Sequence, residues 1–156
     1  MPGREWVSGE ESRRVVHELR AASDAVAVGM GTVRADEPRL DARGVGALRQ
    51  PRRLAFGRGP LPAGSELELR RGGLGDELRA LAQEGVQSLL LEGGPTLATS
   101  FVRAGLVDKL LLFVAPVLSG AGPRFLGELD APIELPDVET RPVGDDVLIE
   151  GYLRLT

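Results

Sequence analysis

One carboxylate stands where a strand candidate meets a helix candidate. Ser88-Leu89-Leu90-Leu91 reads as a short apolar strand, Glu92-Gly93-Gly94 as a turn, and Pro95 to Phe101 as the start of a helix. Gly93 and Gly94 let the backbone come close to a ligand. Pro95 suits the first helical turn, where its missing N–H has no intrahelical partner to lose. Beyond it, Thr96 and Leu97 offer free N–H groups at the positive end of a helix dipole, an anion site most often used for phosphate. A phosphate would repel Glu92, which is therefore expected to face donors on a second ligand. An ordinary tight turn with a solvated Glu92 fits the local pattern as well.

A second strand–turn–helix pattern lies at Gly29-Met30-Gly31-Thr32-Val33-Arg34-Ala35-Asp36. Arg34 occupies the place of the third glycine, so the dinucleotide fingerprint G-x-G-x-x-G fails. What remains is a glycine turn with the Thr32 hydroxyl beside it. Asp36 reads as a turn residue. The basic residues are almost all arginine, with Lys109 the only lysine, so a single arginine says little. Arg20, in the last turn of a helix, is explained by the dipole alone. There is no cysteine and one histidine, His17. Without cysteine, disulfides, cysteine nucleophiles and thiolate metal sites are excluded together; His17 by itself supports neither a His-based metal site nor a Ser–His–Asp triad, and no metal is expected.

The elements that position these residues can be read in chain order. A helix is predicted from about Gly9 to Ala22, with Ser8 and Glu11 as a capping box and Val15, Val16 and Leu19 as its buried stripe. His17 falls off that stripe and is expected at the solvated surface. Ala25 to Val28 reads as a buried strand, and Pro38 ends the short helix after it. Pro51 to Phe56 is a strand candidate, Ser65 to Leu69 a short extended piece, and Leu74 to Glu84 an amphipathic helix with Gly85 after its end. Lys109 to Ala115 reads as a buried strand and 116–127 as a loop. Ile133 to Arg141 and Val147 to Leu155 are extended, joined by Pro142 to Asp146. In the last strand Val147, Ile149, Leu153 and Leu155 are expected on the buried face, alternating with Glu150, Tyr152 and Arg154. The prediction is an α/β chain of strand–helix crossovers closed by an antiparallel hairpin.

With 156 residues and 42% hydrophobic content, one domain with a real core is expected. The net charge of −4 argues against nucleic-acid binding by charge. The longest apolar run, Leu110 to Leu118, is too short to span a bilayer, and Met1 to Glu5 hold no apolar signal segment. A cytoplasmic protein without a membrane partner is expected.

Four blocks in order then carry a family resemblance. They are Trp6-Val7-Ser8-Gly9-Glu10-Glu11-Ser12-Arg13, Gly31-Thr32-Val33-Arg34-Ala35-Asp36-Glu37-Pro38-Arg39-Leu40, Leu91-Glu92-Gly93-Gly94-Pro95-Thr96-Leu97 and Ala104-Gly105-Leu106-Val107-Asp108-Lys109-Leu110. The chain resembles the reductase domain of bacterial bifunctional riboflavin-biosynthesis deaminase/reductases. The resemblance implies a dihydrofolate-reductase-like three-layer fold with a mixed central sheet and helices on both faces. It implies NADPH-dependent reduction of 5-amino-6-(5-phosphoribosylamino)uracil to the ribitylamino product, by hydride transfer to C1′ of the ribose. Cofactor contacts carry over to Trp6, Thr32, Asp36 and Gly94, Pro95, Thr96, Leu97, Ala98, Thr99 and Ser100. Substrate contacts carry over to Arg20, Leu40, Arg43 and Glu92. Arg20 and Arg43 would hold the substrate phosphate and Glu92 would accept from its hydroxyl or N–H groups. Trp6 either packs on the cofactor or staples the first helix. No catalytic acid is identified.

Two departures accompany the resemblance. Only Met1 to Glu5 precede Trp6, where the family has an additional strand, and Arg4 stands where a family serine touches substrate. The 65–73 region is compressed. A homodimer is expected, with the deaminase carried elsewhere. Two other readings follow from the same residues: a truncated, non-catalytic relative that binds NADPH or a partner, and a pterin reductase.

Overall fold

The computed structural model describes residues 8–153. Helix α1 (Glu10–Ala22) begins the described chain and leads into strand β1 (Ala25–Gly29), helix α2 (Met30–Asp36) and strand β2 (Arg52–Phe56). Strand β3 (Glu68–Arg70), helix α3 (Leu74–Gln83), strand β4 (Leu89–Leu91) and helix α4 (Pro95–Arg103) follow. The chain then runs through β5 (Lys109–Val114), β6 (Glu139–Val143) and β7 (Asp146–Tyr152). The chain divides into two compact units. One holds 17–106 and 123–129, the other, among the described residues, 8–16, 107–122 and 130–153.

In the larger unit β3, β2, β1 and β4 form, in that order, an all-parallel sheet. Its centre is β1, whose Ala25, Val26, Ala27 and Val28 are all 0–1% exposed. A strand buried on both faces must be apolar throughout rather than alternating, which is what Ala-Val-Ala-Val provides. On one face Val26, Val28 and Ala55 pack with Met30, Val33 and Leu40. On the other, the small residue Gly29 lets α4 approach, and Phe56 meets Phe101 edge-on with ring centroids 5.5 Å apart. Helix α3 ends as its glycine predicts. Gly85 has φ +94 and Val86 N–H donates to Leu81 carbonyl at 2.9 Å, a Schellman-type closure.

The smaller unit contains an antiparallel sheet in the order β5-β7-β6. Expected as one mixed sheet, the strands are thus hydrogen-bonded as two sheets, one parallel and one antiparallel. The hairpin turns at Gly144 and Asp145, with Val143 opposite Asp146. Its phase differs from expectation. Leu148 and Asp146 are buried at 0% and 3% exposure, whereas Val147 is 42% exposed. Val147, Leu148 and Ile149 are all apolar, so alternation alone leaves the face open, and a one-residue slip inverts it. Asp146 settles it. Its Oδ2 accepts from Gly9 N–H at 2.7 Å and from the Ser12 hydroxyl at 2.6 Å, anchoring the start of α1. Strand β5, expected to be buried, is half-buried with both ends exposed. Residues 133–138 lie before β6 rather than in it.

Candidate functional site

The strand order marks where a candidate site would lie. From β1 the chain moves outward to β2 and β3, then returns to β4 on the opposite side of β1. The carboxyl ends of β1 and β4 therefore flank a topological switch point, where open α/β sheets bind ligands. Both glycine turns singled out in the sequence sit there. A Cβ on Gly94 would lie 3.1 Å from Thr32 Oγ1, and one on Gly93 would lie 3.2 Å from Leu97 Cβ. The bare backbone is thus what lets the two turns come together. Intrahelical bonding of α4 starts with Ala98 N–H donating to Gly94 carbonyl at 3.1 Å, which leaves the N–H groups of Thr96 and Leu97 without intrahelical acceptors.

The rest of that helix turns inward. Thr99 is buried; its hydroxyl donates to Pro95 carbonyl and accepts from Gly127 N–H at 2.7 Å. Ser100 Oγ donates to Thr96 carbonyl at 2.9 Å. Of the seven-residue stretch from Gly94 to Ser100, only the opening turn presents free polar backbone. Thr32 is half-buried beside Gly94, and Asp36 is exposed at the end of α2. Trp6 lies outside the described residues.

Glu92 follows β4, held by its own N–H donating to Ala27 carbonyl at 2.8 Å. Its carboxylate meets Arg20 rather than solvent. Arg20 Nε donates to Oε1 and Nη2 to Oε2, both at 2.6 Å, with the side chains 14% and 21% exposed. This two-pronged pair is the strong geometry for arginine and carboxylate. Arg20 Nη1 also donates to Asp41 carbonyl at 3.0 Å. A phosphate role for Arg20, implied by the resemblance, would therefore use only the guanidinium N–H groups left over. Glu92 likewise has lone pairs to spare, since a carboxylate offers about four acceptor positions.

The segment 40–43 brings two more expected residues to this pair. Leu40 is 2% exposed with φ +55, so its side chain belongs to the core. A left-handed leucine stores about 1–3 kcal/mol of strain. Gln50 fixes the segment: its Oε1 accepts from Ala42 N–H at 2.8 Å and its Nε2 donates to Ala42 carbonyl at 2.7 Å. Arg43 is 54% exposed and approaches Asp41 Oδ1 at 3.1 Å, and Arg39 Nη2 approaches Oδ2 at 3.3 Å. His17, expected at the surface, is instead half-buried against this segment. Its Nδ1 lies 3.0 Å from Asp41 carbonyl and 3.3 Å from Arg43 N–H. His17, Asp41 and Gln50 were missed because their partners lie 8–26 residues away, beyond the reach of helical periodicity.

A parallel sheet with helices and a separate antiparallel sheet is the architecture of the dihydrofolate-reductase-like fold. Comparison with known proteins gives the family. The RibD C-terminal domain family matches residues 2–62 and 65–149, and the chain belongs to it. Riboflavin biosynthesis protein RibD of Mycobacterium tuberculosis is 41% identical over 127 residues, covering 74% of this chain and 37% of that protein. The chain thus spans little more than a third of this curated relative. Acinetobacter baumannii RibD shares the fold with TM-score 0.83 and 24% identity, over 95% of this chain and 52% of that one. So does a diaminohydroxyphosphoribosylaminopyrimidine deaminase/5-amino-6-(5-phosphoribosylamino)uracil reductase of Thermotoga maritima, with TM-score 0.75 and 22% identity, over 95% and 50% of the respective chains. No helix among the described residues is long and apolar enough to cross a membrane.

Proposed function

We propose that the chain is the reductase module of riboflavin biosynthesis, reducing 5-amino-6-(5-phosphoribosylamino)uracil to the ribitylamino compound with NADPH. The observation that carries this reading is the Arg20–Glu92 pair beside the Gly93–Leu97 turn at the switch point, in a chain of the RibD C-terminal domain family. Bound NADPH supplies the hydride that reduces C1′ of the substrate ribose.

The chain's own residues bind and orient. Backbone N–H groups of Thr96 and Leu97 hold the cofactor pyrophosphate at the start of α4, with Thr32 beside them. Arg43, whose side chain is half in solvent, and the remaining donors of Arg20 hold the substrate phosphate by charge-assisted bonds. Glu92, fixed by Arg20, accepts from a substrate hydroxyl or N–H. Positioning of this kind lowers the barrier through orientation rather than through a reactive side chain. The module works in the cytoplasm as a homodimer, downstream of a deaminase carried by another domain or protein.

The test is titration of NADPH followed by turnover with the phosphoribosylamino substrate, read as loss of reduced-nicotinamide absorbance. Oxidation dependent on substrate, and abolished in Arg43→Ala or Glu92→Gln, supports the reading. Binding without turnover would make the chain a non-catalytic NADPH binder. No binding by the folded protein would remove the reading altogether.

A further inference from the structure

His17 is not used by the reaction, yet its ring lies against the segment that carries Arg43. His17 and Arg20 stand three residues apart on one face of α1, and both reach the backbone of Asp41. His17 Nδ1 lies 3.0 Å from Asp41 carbonyl, to which Arg20 Nη1 donates, also at 3.0 Å. The same Nδ1 lies 3.3 Å from Arg43 N–H. Either tautomer of the ring therefore holds the same turn. With the proton on Nδ1 the ring donates to Asp41 carbonyl; with the proton on Nε2, Nδ1 accepts from Arg43 N–H.

The segment needs such a brace. Leu40 has φ +55, and a residue in that region persists only where its surroundings over-determine it. Gln50 supplies one set of bonds, through both polar backbone groups of Ala42. His17 supplies another, at the residues on either side of Ala42. The Arg43 side chain is 54% exposed and lies 3.1 Å from Asp41 Oδ1, an ion pair that solvent screens. Its guanidinium is therefore aimed mainly by where its backbone sits. That backbone rests on His17.

We propose that His17 is a positioning residue for the substrate: it pins the 41–43 turn to α1 and so sets Arg43 and Arg20 at the spacing the substrate phosphate requires. The inference rests on the phosphate roles of Arg20 and Arg43 given under Proposed function. His17 acts through those two arginines and touches neither substrate nor cofactor. The phosphate sits at the far end of the ribose from C1′ and does not react. Its contacts are therefore made alike in ground and transition states, and loosening them raises KM while leaving kcat in place.

Steady-state kinetics with the phosphoribosylamino substrate, and calorimetric binding of ribose 5-phosphate and of NADPH, are measured for the parent, His17→Ala, His17→Asn and His17→Gln. A thermal melt of each confirms folding. Asparagine places a polar group where Nδ1 stood, and glutamine places one where Nε2 stood. In His17→Ala, KM for the substrate should rise about three- to tenfold, and ribose 5-phosphate should weaken by the same factor. There kcat and NADPH affinity stay at the parent's values. His17→Asn recovers most of the loss and His17→Gln does not. Parent-like KM and ribose 5-phosphate binding in His17→Ala, with turnover intact, would overturn the brace and leave the reductase reading standing. A joint loss of kcat, KM and NADPH binding would make His17 a general support and also overturn it, as would equal recovery by asparagine and glutamine. A parent that neither turns over nor binds ribose 5-phosphate would overturn the brace together with the reading beneath it.

Discussion

Replacing Glu92 with glutamine tests how much of the site is held by one ion pair. The amide keeps a single acceptor for Arg20 and turns an NH2 group toward a guanidinium that is itself only a donor. Arg20 then retains Asp41 carbonyl and one weakened bond, at 14% exposure. Stranding one member of a buried pair costs about 3–5 kcal/mol. Residual exposure of both side chains places Glu92→Gln at the low end, about 3 kcal/mol. For a chain of this size each kcal/mol lowers the melting temperature by about 2–4 °C, which gives a fall of about 6–12 °C. The assay is thermal and urea unfolding by circular dichroism, for the parent, Glu92→Gln, Arg20→Met and the double variant Arg20→Met/Glu92→Leu. Apolar replacement of both partners removes the stranded charge, so the double variant should recover most of the stability while substrate turnover stays lost. A Glu92→Gln melt within about 1 °C of the parent, or a double variant no more stable than the single ones, would refute this account of the pair.

Three further outcomes are expected. Asp24 is held down to about 2 by a hydrogen bond from Arg49, then by Gln87 N–H and by Ser88. A depressed carboxyl contributes stability that is complete above its ordinary range and is lost as pH falls toward 2; Asp24→Asn should therefore shrink the difference in urea midpoint between pH 6 and pH 2.5, and an undiminished difference would count against it. Gly94→Ala should place a methyl 3.1 Å from Thr32 Oγ1 at a backbone angle alanine accepts, weakening NADPH by about tenfold while costing about 1–3 kcal/mol of stability; if both values match the parent, the two turns do not meet as described. Asp146→Ala should strand the Ser12 hydroxyl and Gly9 N–H at about 1–3 kcal/mol each, read as a lower urea midpoint, and a midpoint equal to the parent's would show that the anchor is dispensable.

Punctuation made much of the fold readable. Glycine turns after β1 and β4, Pro38, Gly85 and Gly105 each mark a boundary that the structure reproduces within about two residues. Their chemistry is local, so sequence alone reaches it. The same locality explains the misses. Val147, Leu148 and Ile149 are apolar in a row, and the face of β7 is set by Asp146 docking on residues near the other end of the chain. His17 lies off the stripe of α1, yet the 40–43 segment covers it. Arg20 and Glu92 were both named, Glu92 first from its turn and Arg20 through the resemblance, but in separate roles. That they grip one another across 72 residues is a fact of topology, which no spacing rule contains. Leu40 shows the converse: its type alone suggests core, and the structure buries it there on a left-handed backbone that its sequence does not announce.

The Asp146 anchor also orders events while the chain is being made. Its partners Gly9 and Ser12 emerge from the ribosome 134–137 residues earlier. At about 5–20 residues per second, the start of α1 waits on the order of ten seconds for its carboxylate. Residues 17–106 make up almost all of the larger unit, so its parallel sheet is complete in sequence well before β7 is translated. Every strand of that sheet is therefore available to pair before the carboxylate that anchors the first helical turn has been made.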